Sequence, residues 1–364
     1  MLPLAGELSK ADFVRLETIH PKELGLEDCV QWRGHQRAGT LSPYLTPDWA
    51  KLIGAARADA RVVIISGGEG YIGAQRLSQF SAMGLGAPIS DYQGIVGREG
   101  LEVAPAQLCR ALNVGRIDLT HTPQGQALFE AAGAEGSWIA ETHGSRELYE
   151  AALRVRRAEF VRQTDKKARK LERERGRIEF HALDTERDAF ETLLGWKNAQ
   201  LQRCGQPAIW ATPWVRQTLD RCFELRDPSF GGALFTLKVD GALAAGAFCL
   251  RGNGVLHFWI VAHDSAFDAY SPGVQLARRI VGWAADNGLH EVDFGPGDYQ
   301  YKRQLSTTQR TLEWGVVSGA SFSGAVRRGA HSLRSQIEKA PQPQLAALPG
   351  KAMRRLDLMR ALGA

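Results

Sequence analysis

Residues 255–302, VLHFWIVAHDSAFDAYSPGVQLARRIVGWAADNGLHEVDFGPGDYQYK, constrain the fold of this chain more than any other stretch. Val255 to Ala262 is an apolar run rich in β-branched and aromatic residues, the composition of a buried strand. Ser271-Pro272 pairs a good N-cap residue with proline at the first helical position, where the missing N–H costs nothing. Val274, Ala277, Ile280, Val281 and Ala284 then recur at helical spacing, and Gly288 is the natural stop. Glu291 to Phe294 reads as a second short strand, closed by Gly295-Pro296-Gly297. The unit is therefore strand–helix–strand, with Gly273 at a helix N-terminus where a ligand can approach the backbone. Such a terminus presents open N–H groups and the positive end of the helix dipole, and it favours a phosphate.

The chain around it alternates strands and helices. Before it, Gly232 to Val239 and Ala242 to Leu250 form a hairpin about Asp240-Gly241, a strong short-range hairpin signal. Arg177 to Ala182 reads as a strand, and Thr185 to Cys204 and Pro213 to Leu225 as helices; a final strand spans Thr311 to Val317. In the N-terminal part, residues 13–30 suggest a strand and a turn, and Cys29 to Arg37 a helix. Tyr44 and Trp49 read as core aromatics at the start of a short helix. RVVIIS (61–66) and Tyr71 to Phe80 flank a glycine turn, and RIDLT (116–120) and Ser137 to His143 add strands. Helices are expected over Leu101 to Leu112 and Gln124 to Ala132. The expected domains are 1–145, a basic connecting helix 146–176, a second domain 177–319, and a basic tail 320–364 with an amphipathic helix over Lys351 to Leu362. In the connecting helix, Leu148, Ala151, Ala152, Val155, Ala158 and Phe160 or Val161 form the expected broken apolar stripe, and in the tail helix Met353, Leu356, Met359 and Leu362 do.

Charge narrows the function. The net +5 divides, as Lys+Arg minus Asp+Glu, into 13 − 18 = −5 for residues 1–150, 11 − 4 = +7 for 151–177, 13 − 16 = −3 for 178–319 and 8 − 2 = +6 for 320–364. Both globular bodies are thus acidic, which argues against a nucleic-acid grip. The functional reading of the connecting helix is that Lys166, Lys167, Arg169 and Lys170 meet an anionic ligand. Five scattered cysteines without CxxC spacing suggest reduced thiols and no metal site. No apolar run approaches the roughly 20 residues of a membrane helix, and MLPLAGELSKADF lacks the features of a signal peptide. The expected location is cytoplasmic, with the tail available to an anionic membrane.

The runs Tyr270-Ser271-Pro272-Gly273-Val274-Gln275-Leu276, Asp293-Phe294-Gly295-Pro296-Gly297-Asp298-Tyr299 and Tyr301-Lys302 resemble the signature of CelD/BcsL-type acetyltransferases of cellulose and exopolysaccharide systems. These are GNAT-superfamily proteins related to the FemAB-like tandem-GNAT group. Trp196-Lys197-Asn198-Ala199-Gln200-Leu201 ahead of Gly205, the glycine link into Asp91-Tyr92 and the Lys/Arg-rich helix extend the resemblance over roughly residues 10–320. It implies an α/β (α+β) fold of two tandem GNAT domains, each a mixed, mostly antiparallel sheet flanked by helices. It implies transfer of acetyl from acetyl-CoA to an amine or hydroxyl of a sugar or polysaccharide precursor, with no metal. On this reading Ser271, Gly273, Val274 and Gln275 bind the cofactor's pyrophosphate, although the loop holds one glycine where most GNATs have Q/R-x-x-G-x-G/A. Tyr299 or Tyr301 protonates the leaving thiolate, and Asp293 or His257 takes the amine proton. Asp91, Tyr92, Lys197, Gln200, Asp298 and Lys302 are the acceptor-side candidates. The resemblance also admits FemAB-like transfer from aminoacyl-tRNA to a cell-wall precursor, or a degenerate assembly subunit.

Overall fold

The computed structural model describes residues 14–37, 40–338 and 343–363. Phe13 and the N-terminal segment weighed as a signal peptide lie outside the described residues. In chain order the strands are β1 (Leu16–Ile19), β2 (Ala60–Ile65), β3 (Gly70–Arg76), β4 (Ala82–Gly84), β5 (Ile95–Gly97), β6 (Ile117–Pro123) and β7 (Gly133–Glu141). They continue as β8 (Ile178–Ala182), β9 (Phe230–Val239), β10 (Ala242–Gly252), β11 (Val255–His263), β12 (Glu291–Asp293) and β13 (Thr308–Val317). The α-helices are α1 (Leu26–Gly34), α2 (Pro47–Ala56), α3 (Pro105–Ala111), α4 (Arg146–Arg156), α5 (Ala158–Arg175) and α6 (Arg187–Arg203). After them come α7 (Pro213–Glu224), α8 (Pro272–Asp286), α9 (Gln300–Leu305), α10 (Phe322–Glu338) and α11 (Pro343–Leu362).

The chain divides into two compact units, one of Met1–Thr40, Tyr44–Ala134 and Leu312–Ala364, the other of Leu41–Pro43 and Glu135–Thr311. In the first, the strand order is β1-β2-β3-β4-β6-β13, with β5 on β3. In the second it is β7-β12-β11-β10-β9-β8. Both orders are the same pattern: antiparallel strands, then one parallel pair (β4 with β6, β11 with β12), then an antiparallel closing strand. Each sheet is mixed and mostly antiparallel, the GNAT arrangement in tandem. The closing strands are exchanged along the chain, β13 completing the first sheet and β7 the second. This is why the basic tail belongs to the first unit and residues 135–176 to the second.

The second unit is three-layered. One sheet face is covered by α8 and α4, around Tyr149, Leu153, Phe235, Leu256, Phe258, Leu276 and Ile280. The other is covered by α6 and α7, where Phe190 stacks on Phe223 at 4.5 Å and meets Phe248 edge-on at 4.9 Å. The hairpin turn Asp240-Gly241 has both φ angles positive, 46° and 78°, as a type I′ turn requires.

Four local expectations are corrected. The basic helix is two helices, because the backbone leaves helical geometry at Arg157 (φ −140°, ψ 44°). Its buried stripe runs through Tyr149, Leu153, Val161 and Leu171, while Leu148 and Val155 face solvent; the Tyr149 hydroxyl donates to the Leu305 carbonyl at 2.9 Å, so tyrosine can be buried there. Residues 124–132 form turns, since Gly125 has φ +92° and the Gln126 side chain bonds the backbone of Ile95 instead. In α11, Leu356 and Met359 point outward, while Asp357, paired with Arg327 of α10, and Ala361 are buried.

Candidate active site

β11 is longer than its neighbour. It pairs with β10 along its length, but β12 meets it only at Val255, Leu256 and His257. Beyond His257 it runs on to His263 with no strand on that edge among the described residues, because β12 ends at Asp293 and the chain turns away at Gly295 (φ +74°). At this opening lies a cavity of about 650 Å³. Five segments line it: Trp196, Lys197, Gln200 and Arg203 from α6; Trp259, Val261 and His263, alternating along β11; Asp264, Ser265 and Asp268 just after it; Ser271, Gly273 and Val274 at the start of α8; and Phe294, Tyr299, Tyr301 and Lys302 around the turn into α9.

The turn that carries the tyrosines is held from both sides. The Asp293 carboxylate accepts the Gly295 N–H at 2.8 Å and the Ser137 hydroxyl at 2.6 Å. Lys302, only 6% exposed, donates to the carbonyls of Gly295 at 3.2 Å and Pro296 at 2.7 Å. Asp293 and His257, with Oδ2 and Nδ1 3.6 Å apart, are buried off the cavity. Asp293 and Lys302, expected to contact reactant and substrate, thus both bind the backbone of this turn; Lys302 also lines the cavity, and Asp293 does not. Tyr301 meets Phe294 edge-on at 6.1 Å, and burial pushes its phenol well above the usual tyrosine value, so the hydroxyl stays protonated. Tyr299 is largely exposed with its ring 6.3 Å from that of Tyr301. Asp298 is paired with Arg303 at 3.0 Å and does not line the cavity.

At the start of α8, Ser271 has φ 53° and ψ 55°, and its side chain does not cap the helix. Its hydroxyl instead accepts from Lys167 Nζ at 2.7 Å, which brings the basic helix α5 against this loop. Lys170 lies over the Tyr270 ring, and Asp165 binds Arg278 at 2.7 Å. The Val274 and Gln275 N–H groups both bond the Ser271 carbonyl at 3.2 Å, and the Gln275 side chain is buried, donating to the Tyr270 carbonyl at 3.0 Å. Among the described residues only the Gly273 N–H of this first turn remains open. The expected four-residue anion seat contracts to Gly273 and the Lys167–Ser271 pair. A Cβ at Gly273 would meet only His263 Nδ1, at 3.7 Å.

Asp91 and Tyr92 lie in the first unit and take no part in this cavity. Tyr92 is 1% exposed, a core side chain. The gap between β4 and β6, which corresponds to the opening beside β11, is filled by the segment they belong to. Gln93 donates its N–H to the His121 carbonyl at 2.8 Å and accepts the Thr120 N–H on its side-chain oxygen at 3.0 Å.

Trp259, Arg203 and the His263–Asp268 pair, 2.8 Å apart on the cavity wall, were not among the residues expected from sequence. The period-two run Trp259, Val261, His263 at the end of an apolar strand carries the missed signal.

Residues 136–303 match the family profile described as "Acetyltransferase (GNAT) domain". The second unit carries a GNAT acyltransferase domain. No curated protein matches the sequence. Among solved structures, the GNAT fold of the whole chain is similar to FemX, at TM-score 0.54 and 10% identity, with 86% of this chain and 100% of that chain covered. It is also similar to the C-terminal domain of a protein from Agrobacterium fabrum provisionally named a lysylphosphatidylglycerol synthetase, at TM-score 0.52 and 13% identity, covering 84% and 96%. A looser likeness, TM-score 0.41 at 12% identity with 85% and 99% covered, is to a tandem GNAT protein from the clavulanic acid biosynthesis pathway.

Proposed function

We propose that the second unit transfers an acetyl group from acetyl-CoA to an amine, or a hydroxyl, of a sugar or polysaccharide precursor, as its motif resemblance to CelD/BcsL-type proteins suggests. The observation that carries the reading is the cavity beside the unpaired end of β11, which puts a protonated tyrosine, an open helix N-terminus and a strand edge on one surface. The edge of β11 offers backbone groups to the amides of an extended donor arm. Gly273 and Lys167 fit the donor's phosphates. Tyr301 holds its proton on the cavity wall for the departing sulfur. His263, oriented by Asp268, is better exposed to the cavity than the buried His257 and is the proposed acceptor of the amine proton. Asp293 and Lys302 keep the tyrosine turn in place.

One observation favours a second reading. A single open N–H at α8 is a sparse seat for a pyrophosphate, which leaves room for a donor lacking one at this point, such as an aminoacyl ester of tRNA. Calorimetry with acetyl-CoA separates the two. Wild type is expected to bind, and Gly273→Glu, whose side chain has space to enter the cavity as an anion, to lose binding. A wild-type protein that binds no CoA ester sinks the acetyl reading, and tight, steeply salt-dependent tRNA binding then replaces it. The proposed setting is cytoplasmic, with the basic tail available to an anionic membrane or envelope machinery. Among the described residues no helix is long and apolar enough to cross a membrane.

A further inference from the structure

The wall that α6 gives to the cavity carries two cations that the fold itself does not neutralise. Lys197 Nζ reaches only uncharged oxygens, Gln200 Oε1 at 3.1 Å and the Val261 carbonyl at 3.5 Å. Burial lowers its pKa, and no carboxylate opposes that. The Arg203 guanidinium, six residues and about 9 Å further along α6, lines the same cavity and makes no hydrogen bond or ion pair among the described residues. A partly desolvated ammonium such as Lys197 without a counter-ion raises the free energy of the folded state, and a bound anion removes that cost; Arg203 is exposed and adds a second positive charge at the rim.

Between and opposite these cations stand aromatic rings. Trp196 from α6 and Trp259 from β11 line the same cavity. Trp259 is fixed by stacking on Phe248 (6.0 Å, 20°) and by an edge contact with Trp210 at 6.3 Å. A braced indole offers its face to the C–H side of a pyranose or to a nucleic-acid base. Charge separates these: residues 178–319 sum to 13 − 16 = −3, which opposes a polyanion but not one phosphate held by Lys197 and Arg203.

We propose that the acceptor is an amino sugar bearing a phosphate, free or nucleotide-linked, its ring on Trp196 and Trp259 and its phosphate between Lys197 and Arg203. The proposal rests on the acyl-transfer reading above, though not on the identity of the donor.

Calorimetry on the full chain tests it with glucosamine, glucosamine 1-phosphate, UDP-glucosamine and the trinucleotide CCA as probes. At least one phosphorylated sugar is expected to bind ten-fold or more tighter than glucosamine, with the difference shrinking as salt rises. Preference between the two phosphorylated sugars shows whether the phosphate is free or nucleotide-borne. Lys197→Met and Arg203→Met are each expected to weaken that binding about 10- to 100-fold, with Lys197→Arg recovering most of it. Equal affinity for glucosamine, no binding of any sugar, or tighter binding of CCA overturns the proposal. So does a Lys197→Met protein that loses acetyl-CoA and keeps the sugar phosphate, since the cations then serve the donor. Wild type that binds the sugar phosphate but no CoA ester removes the donor assignment alone.

Discussion

Replacing Lys302 by methionine isolates the clamp on the tyrosine turn. Methionine keeps the length and most of the volume of the buried stem, so packing changes little. What is lost is an ammonium donating to two backbone carbonyls, of Gly295 at 3.2 Å and Pro296 at 2.7 Å, and its place 5.4 Å from the centre of the Tyr299 ring. Hydrogen bonds from a charged donor contribute about 1.5–3 kcal/mol each, and two that share one donor do not add fully. The cation–π contact adds about 0.5–1 kcal/mol at a partly exposed ring. Offsetting this, an ammonium that is 6% exposed no longer has to be desolvated in the variant. The net expectation is a destabilisation of about 2–3 kcal/mol, read as a shift of the urea midpoint at constant slope. Activity should fall further than stability alone accounts for, because the turn carries Tyr301: kcat measured well below the unfolding transition should drop at least about ten-fold while KM for the donor changes little. A midpoint shift under about 0.5 kcal/mol with unchanged kcat would refute both the clamp and the positioning role.

Tyr301→Phe should lower kcat by about 10²–10⁴, the usual contribution of a placed general acid, while Tyr299→Phe, on the exposed rim, costs less than about ten-fold; equal effects of the two would reverse the assignment. Burial raises the phenol of Tyr301 above its unfolded value, so its share of stability is full below about pH 10 and is lost as pH rises beyond that; alkaline urea titrations of Tyr301→Phe should show a shallower loss than wild type. His331 is the opposite case, its pKa pushed down to about 4 by burial and by the nearby Arg327. The unfolded chain binds the proton first, so stability should decline as pH falls from 6.5 toward about 4, and His331→Gln should flatten that acid limb; an unchanged limb rules His331 out as its source.

The second unit was legible in the sequence because its signals are local and repeated. Hairpin chemistry at Asp240-Gly241, the Ser-Pro start of α8 and the apolar period of α8 each name one structure, and the structure follows them. What could not be read is what depends on partners distant in sequence. Asp293 reads from sequence as a candidate base, but that its carboxylate accepts from Gly295 N–H and from Ser137, 156 residues away, is not readable there. Lys302 reads from sequence as a substrate ligand; it lines the cavity and in addition binds the carbonyls of Gly295 and Pro296, seven and six residues back, which composition does not announce. Ser271 follows the N-cap rule by composition, yet its left-handed backbone turns the hydroxyl to Lys167, 104 residues earlier. The exchange of β7 and β13 leaves no local trace, because which sheet a closing strand joins is set by pairing partners far away in sequence.

The shared strand order of the two units makes a last case. In the second unit β11 runs nine residues and leaves an open edge; in the first, β4 has three, ends at Gly84, and its gap is closed by Gln93. A side chain on Gly84 would sit 2.2 Å from that glutamine, so strand end and plug are fitted to each other. Gln93→Ala leaves the Thr120 N–H without its buried acceptor, which costs about 1–3 kcal/mol. It does not create a second donor site, since among the described residues no tyrosine turn or helix start comparable to α8 stands there: α3 has seven residues against fifteen for α8. Urea melts of Gln93→Ala should therefore show the loss in stability, with kcat/KM unchanged well below the transition. If folded Gln93→Ala loses acyl transfer, the first unit takes part in the chemistry, and the assignment of catalysis to the second unit's cavity alone is wrong.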